Sequence, residues 1–331
     1  MAITMVVIVK PSLRILEYGE LPPEAEEKAQ LLDLSVGWGI MGFRRLDEAR
    51  RMGYPAADYF AVYAVENGDV ISTVRVLRMP ITTRFGVQQA AGIQGVVTRR
   101  DMKGRGIARR LLEEVHKRER AAGSEYSLLW TSRGLGAHRL YLSLGYRDVY
   151  TPELAFLRRQ GQRLGRKPDA VRGVGRDDIE YLENLHREAT AGRLGFTPRP
   201  AGVVRSLVYL GFLEARSLKV VLHAGERMGY AILQKHQGGQ WCSLEELVLD
   251  PAFSAEEAFS MLEATAPRGW FVVRNTVVRD LKEPLRRRGY QFSSLAYYSL
   301  LALPLSKSSG NIDYDLGTED PLFTCQHLDY F

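Results

Sequence analysis

The sequence predicts an α/β (α+β) protein built as two similar domains in tandem. Short apolar runs bounded by turn residues alternate with longer stretches of helical period. A Gly-, Arg- and Gln-rich segment with Pro168 interrupts that order at 160–175, and beyond it the same order of elements recurs. A chain of 331 residues is also long for one core. The expected boundaries are 1–159 for the first domain, 160–175 for a linker, 176–305 for the second domain and 306–331 for a tail.

In chain order, a strand near Arg14–Tyr18 leads to Pro22-Pro23, and proline at a first helical position starts a helix through Glu24–Leu34. A Gly-rich aromatic loop follows (Gly37-Trp38-Gly39, Gly42-Phe43), then a short helix at Leu46–Arg51. Tyr59–Val65 and Val70–Met79 are strands joined by Asn67-Gly68, a hairpin pair. Ala90–Thr98 is a strand, Gly106–Ala122 a helix, Tyr126–Thr131 a strand and Ala137–Leu144 a helix. Tyr146–Tyr150 and Leu154–Leu157 close the half. The second half reads as helices at Asp177–Ala191, Val203–Leu210, Ser254–Ala264 and Arg279–Arg288. Its strands are Lys219–Leu222, Gly229–Gln234, Leu244–Leu249, Trp270–Val273 and Leu295–Leu303.

Composition narrows the function classes. Lys and Arg total 45 against 39 acidic residues, so the net charge is +6, compatible with an anionic ligand. The charges are interspersed and mark no aromatic-basic platform for nucleic acid. Cys242 and Cys325 are too few for a disulfide framework or a zinc cluster, and no metal is expected. The apolar run Thr4–Val9 is too short for a signal peptide, and no apolar stretch is long enough to span a bilayer. A soluble, cytoplasmic protein without a membrane partner is the expectation; oligomeric state is not specified.

The strongest chemical signal is Lys103-Gly104-Arg105-Gly106-Ile107-Ala108, set between a strand and a helix. Glycines there let backbone N–H groups converge on an anion at the helix's positive end. Lys103, Arg105 and Arg109 add positive charge. Gly-x-Gly-x-x-Gly is incomplete, which disfavours a dinucleotide fold, and a Walker loop's Gly-Lys-Ser/Thr ending is missing.

Strand, Lys103-x-x-Gly106-x-Ala108 and helix resemble the cofactor motif of the GNAT acyltransferase superfamily, Gln/Arg-x-x-Gly-x-Gly/Ala. Lys103 stands where Gln or Arg is usual. The resemblance covers about Arg14–Arg158. For each domain it implies a mixed, mostly antiparallel central sheet flanked by helices. It assigns residues 103–109 (Lys103, Gly104, Arg105, Gly106, Ile107, Ala108, Arg109) to the diphosphate of acetyl-CoA as co-substrate. Val96, Val97 and Thr98 fall to the pantetheine arm. It further implies transfer of the acetyl group directly to a primary amine.

The same resemblance places Tyr141, four residues before Gly145-Tyr146, near the CoA sulfur as general acid. A phenol of ordinary pKa near 10 is protonated at neutral pH, so the chemistry is sound. Many relatives carry a carboxylate on the strand before the loop, whereas Val87–Thr98 has none. Glu66, Asp69, Asp47 and the tail are the candidate sources of a base. Two GNAT-like halves and an aromatic tail ending in Phe331 resemble the enhanced intracellular survival family. In that family the terminal carboxylate serves as base, so the resemblance points to Phe331, with Tyr330 and Phe323 as anchors. That family's sterol-carrier-like domain has no counterpart between Leu303 and the tail.

The second half lacks the chemical parts. Val248–Ser254 stands where the phosphate loop would be, without glycine and followed by Glu256-Glu257; Leu285 stands in the place of Tyr141. Family position puts the acceptor, a small-molecule or peptide amine, over Trp38, Gly39, Met41, Phe43 and Tyr54, whose aromatic rings suit a cationic amine. The competing reading is a non-catalytic acyl-CoA-binding or regulatory module, against which Tyr141 speaks.

Overall fold

The computed structural model describes residues 13–35, 48, 51–52, 59–159, 170–211, 213–236, 240–266, 269–274, 276–293, 298–306 and 310–324. The first half contains β1 (Arg14–Glu17), α1 (Pro23–Leu34), β2 (Tyr59–Glu66), β3 (Asp69–Thr83) and β4 (Gly86–Thr98). Then come α2 (Ile107–Ala121), β5 (Tyr126–Ser132), α3 (Gly136–Ser143) and β6 (Arg147–Tyr150). The chain continues through β7 (Leu154–Arg159), β8 (Val171–Gly173), α4 (Ile179–Ala189), α5 (Val203–Leu210), β9 (Leu218–His223), β10 (Glu226–His236) and β11 (Trp241–Leu249). It ends with α6 (Ala255–Thr265), β12 (Gly269–Arg274), α7 (Thr276–Asp280), α8 (Lys282–Arg287), β13 (Gln291–Ser293), β14 (Tyr298–Pro304) and α9 (Ile312–Leu316).

The strands form two seven-stranded sheets, ordered β1-β2-β3-β4-β5-β14-β6 and β8-β9-β10-β11-β12-β7-β13. Both are mixed and mostly antiparallel: the parallel contacts are β4 with β5 and β11 with β12. Position by position the two orders match, with one exchange. β7 follows the first half in sequence yet sits between β12 and β13, while β14, from the second half, sits between β5 and β6. The expected boundaries 1–159 and 176–305 therefore do not divide the sheets. The expected linker also contributes β8, an edge strand of the second sheet. Leu154–Leu157 and Leu300–Leu303 are both apolar runs, so either one satisfies the same slot, and local pattern cannot say which sheet it joins.

The exchanged strands are central to packing. Leu301 and Leu303 of β14 are buried with Ile107, Leu111 and Val115 of α2, and with Tyr141 and Tyr146, in the core on one face of the first sheet. Ala155 of β7 does the same beside Phe259 and Phe271 in the second. The other face of the first sheet is covered by α1 through Ala25, Ala29 and Leu32, and further along by α9 through Ile312 and Leu316. Ser254 caps α6, accepting from the Glu257 amide at 3.4 Å. The expected helix Arg279–Arg288 is two short helices, α7 and α8, and the strand expected over Leu295–Leu303 begins, among the described residues, at Tyr298.

The β3–β4 hairpin is longer than the expected strands 70–79 and 90–98, because Pro80 and the polar Thr82–Arg84 interrupt the apolar pattern without ending the ladder. Its tip is held by the second half. The Gly195 amide donates to Thr82 O at 2.8 Å, Thr82 N to Phe196 O at 3.0 Å, and Arg84 N to Asp315 O at 2.9 Å. Beside this joint Phe323 is buried, bridges to Leu194, and packs its ring 4.9 Å from that of Tyr150. Gly195 is required there: its φ is +75°, and a Cβ would lie 2.1 Å from the Phe323 ring.

Among the described residues no helix is long and apolar enough to cross a membrane, and no group of three or more His, Cys, Asp or Glu residues could hold a metal ion.

Candidate active site

The site begins with a break in the first sheet. β4 pairs with β5 only at Ala90–Gly92 against Tyr126–Leu128. Past Gly92, Gly95 and Val96 stand together opposite Val74, a bulge that bends β4 away. Gly95 has φ +52°, and a Cβ there would lie 3.0 Å from Cδ of Arg75, which fills the space under the bulge. A glycine inside a strand is the sequence signal for such a bend, but β4 also carries Gly92, so the sequence does not single out Gly95. Val97 turns its carbonyl toward β3, where Ser72 Oγ donates at 2.6 Å. By the alternation of a ladder, Val96 and Thr98 turn their backbone polar groups into the gap.

Beyond Thr98 the chain makes one 3₁₀ turn, Arg100–Met102, and enters the glycine loop. Gly104 and Gly106 have φ +80° and +72°, which is why glycine stands there; the space around their Cβ positions is open. Gly106 caps α2 without a side chain, and the first turn of α2 carries no acidic residue. The amides from Gly104 to Arg109 find no backbone acceptor among the described residues. Converging unpaired N–H groups at a helix N-terminus, with no carboxylate in the first turn, fit a diphosphate. A CoA thioester is thus compatible with the residues present.

The charged side chains of the loop are placed unequally. Lys103 is exposed and has no partner among the described residues. Arg105 is engaged by Glu66, Nη2 to Oε1 at 2.8 Å and Nη1 to Oε2 at 3.0 Å. Arg109 reaches Ser143, on α3, through its Nη2. The hydrogen bonds from Arg105 hold the Glu66 carboxyl below its ordinary range. Lys28, bonded at 2.6 Å, does the same for Asp69. Both carboxylates are committed partners, poorly suited to accept a proton from an amine. Asp47 lies outside the described residues.

Tyr141 and Tyr146 separate cleanly. The Tyr146 hydroxyl is spent in the core, 2.8 Å from His116 Nε2 and 2.6 Å from Ser127 Oγ. Burial lowers the His116 pKa to about 4, so the imidazole there is neutral. Tyr141, on α3, is also buried and packs edge-on to Tyr146 at 5.8 Å. Its hydroxyl has no hydrogen-bond partner among the described residues, and burial raises its pKa to about 12. It therefore holds a proton that no neighbour uses. Next on α3, His138 pairs with Asp148 at 3.1 Å, a structural contact with β6. Trp38, Gly39, Met41, Phe43 and Tyr54, named for the acceptor, and Tyr330 and Phe331 lie outside the described residues.

The second sheet repeats the geometry without the chemistry. Leu285 occupies the place of Tyr141, fully buried, and Tyr290 bonds to Glu263 at 2.7 Å as Tyr146 does to its own partners.

Part of the sequence, and the fold as a whole, are similar to known proteins. A family model described as an acetyltransferase (GNAT) domain matches residues 42–148. No curated protein matches the sequence. Among solved structures, a probable N-acyltransferase of unknown function from Enterococcus faecalis V583 superposes with TM-score 0.65 at 14% identity, over 89% of this chain and 73% of that one. Eis1 from Mycobacterium abscessus gives 0.56 at 16% identity, over 89% and 74%. A tandem GNAT protein from the clavulanic acid biosynthesis pathway gives 0.53 at 11% identity, over 90% of this chain and all of that one. Residues 42–148 thus match the acetyltransferase (GNAT) domain family, and the chain has the tandem GNAT fold.

Proposed function

We propose that this protein transfers the acetyl group of acetyl-CoA to a primary amine, with the chemistry in the first repeat and Tyr141 as general acid. The observation that carries the reading is one of placement. The open edge of β4, the unpaired amides of residues 104–109 and the uncommitted hydroxyl of Tyr141 belong to elements packed around one break in the sheet.

The thioester, when bound, supplies an activated acetyl carbon. The backbone at Val96 and Thr98 pairs with the pantetheine amides, and the loop holds the diphosphate through its amides, with Lys103 adding charge. The amine nitrogen forms the new C–N bond as the C–S bond breaks, and Tyr141 gives its Oη proton to the departing sulfur. Solvent restores that proton. With Glu66 and Asp69 engaged by cations, the proton lost by the amine passes to the terminal carboxylate of Phe331 or leaves through water. By family position the acceptor amine is bound by Trp38, Phe43 and Tyr54, which lie outside the described residues.

Thiol release from acetyl-CoA across a panel of small amines, aminoglycosides and peptides tests the assignment, with Tyr141→Phe as control. Release with an amine, reduced ~10²-fold or more by the substitution, supports it. Binding of acetyl-CoA with no release against any amine would instead favour a non-catalytic acyl-CoA-binding protein. Unchanged release in Tyr141→Phe removes the tyrosine from the mechanism.

A further inference from the structure

We infer that the break in the second sheet is a binding site for a free aliphatic α-amino acid. The break forms as it does in the first repeat. β11 pairs with β12 only at Trp241–Leu244 against Trp270–Val273. A bulge then places Glu245 outside the β10 ladder, and β11 continues to Leu249 away from β12. In this divergence lies a cavity of about 170 Å³. An aliphatic cavity of about 150 Å³ accepts a benzene-sized guest, so the space suits a compact molecule.

The lining selects the class. Leu249, Ala255, Val277 and Leu281 supply an aliphatic wall, while Arg193, Asp280 and Thr324 supply polar groups. A CoA nucleotide is excluded: Asp250–Ser254 has no glycine, and Glu256 and Glu257 occupy the first turn of α6. One guanidinium and one carboxylate against an aliphatic wall match a zwitterion with an aliphatic body. A fatty acid would gain nothing from Asp280, and an alkylamine nothing from Arg193, whereas a zwitterion gains a charge-assisted contact from each. Arg193 is already oriented, Nε donating to Ala189 O at 3.3 Å and Nη1 to Thr324 Oγ1 at 3.2 Å, with Nη2 uncommitted among the described residues. Asp280 is half-exposed and only loosely tied to Arg279, at 3.5 Å, which leaves it available to an ammonium group. The inference does not depend on acetyl transfer.

Titration calorimetry on the full chain, without acetyl-CoA, with L-leucine, 4-methylpentanoate and isoamylamine tests it. Leucine is expected to bind, and each analogue, lacking one charge, to bind about tenfold or more weakly. Ala255→Phe fills the cavity from the first turn of α6 and is expected to abolish the leucine heat. If that variant does not fold, Arg193→Gln is expected to raise the leucine Kd about tenfold. No heat with leucine, or equal binding of all three compounds, overturns the inference. So does leucine binding of unchanged affinity in the folded variants, since it would then reside elsewhere, as in the acceptor cleft of the first repeat.

Discussion

Arg105 of the glycine loop and Glu66 at the end of β2 face each other in a two-point ion pair, at 2.8 and 3.0 Å. The guanidinium nearest the proposed diphosphate is thus turned toward a protein carboxylate. On the proposed function, cofactor binding competes with that pair. Glu66→Gln removes a negative charge beside the loop and releases Arg105. Its Kd for acetyl-CoA is expected to fall a few-fold, in keeping with the modest worth of a partly exposed pair. Calorimetry reads the change; weaker binding would mean that the pair shapes the loop instead. Because Arg105 lowers the Glu66 pKa, the pair is intact above the ordinary glutamate value near ~4.3. It is lost as pH falls through the depressed one.

Tyr141 gives a prediction at the opposite end of the pH scale. Burial raises its pKa to about 12, so the acid form persists through the alkaline range. The alkaline limb of kcat should show no loss attributable to this tyrosine at pH 9–10, where an ordinary phenol near ~10 would begin to ionise. Stability has the same origin. Above about 10 the unfolded chain loses this proton first, so folding weakens between about 10 and about 12. Comparison of denaturation midpoints for the parent and Tyr141→Phe across that range isolates the contribution.

How much of this was legible in the sequence follows from how local each signal is. The glycine loop, the helix it opens and the tyrosine four residues before Gly145 are written within short windows, and Ile107 of that helix shares a buried core with Tyr141. The bulge at Gly95 is local too, but its meaning depends on Arg75, twenty residues earlier and across the ladder. The exchange of β7 and β14 was not legible, because an apolar alternation states which face is buried and not which sheet it joins. Nor was the joint between Thr82 and Gly195, made by backbone groups alone.

Gly195 and Phe323 offer a test of that joint by non-additivity. Gly195→Ala forces an alanine to φ +75° and drives its methyl into the buried ring. The expected cost is about 2–5 kcal/mol, strain and overpacking together. Phe323→Ala removes the ring at a cost of about 3–5 kcal/mol. The double variant should be destabilised by clearly less than the sum, since the second change removes the clash created by the first. Additive urea midpoints would show that the two do not meet.

Leu301 tests the exchange itself. It is fully buried in the core shared by α2 and α3, although it lies more than 150 residues beyond both. Leu301→Ala should cost about 2–5 kcal/mol. Hydrogen exchange should show the loss in the amides of β5 and α2, in the first repeat. A fragment ending at Arg159 should fail to fold cooperatively, as judged by its thermal transition. A sharp, native-like transition in that fragment would count against the shared sheet.

The order in which residues leave the ribosome gives the exchange a further meaning. The slot between β5 and β6 stays open until β14 has been synthesised, at Tyr298–Pro304. At ~5–20 residues per second the interval is roughly 10–30 s, during which a nascent chain presents an incomplete apolar wall. Such a chain needs either a chaperone or a temporary occupant of the slot. β7, which emerges immediately after β6 and carries the same kind of apolar run, is the nearest candidate for that provisional place.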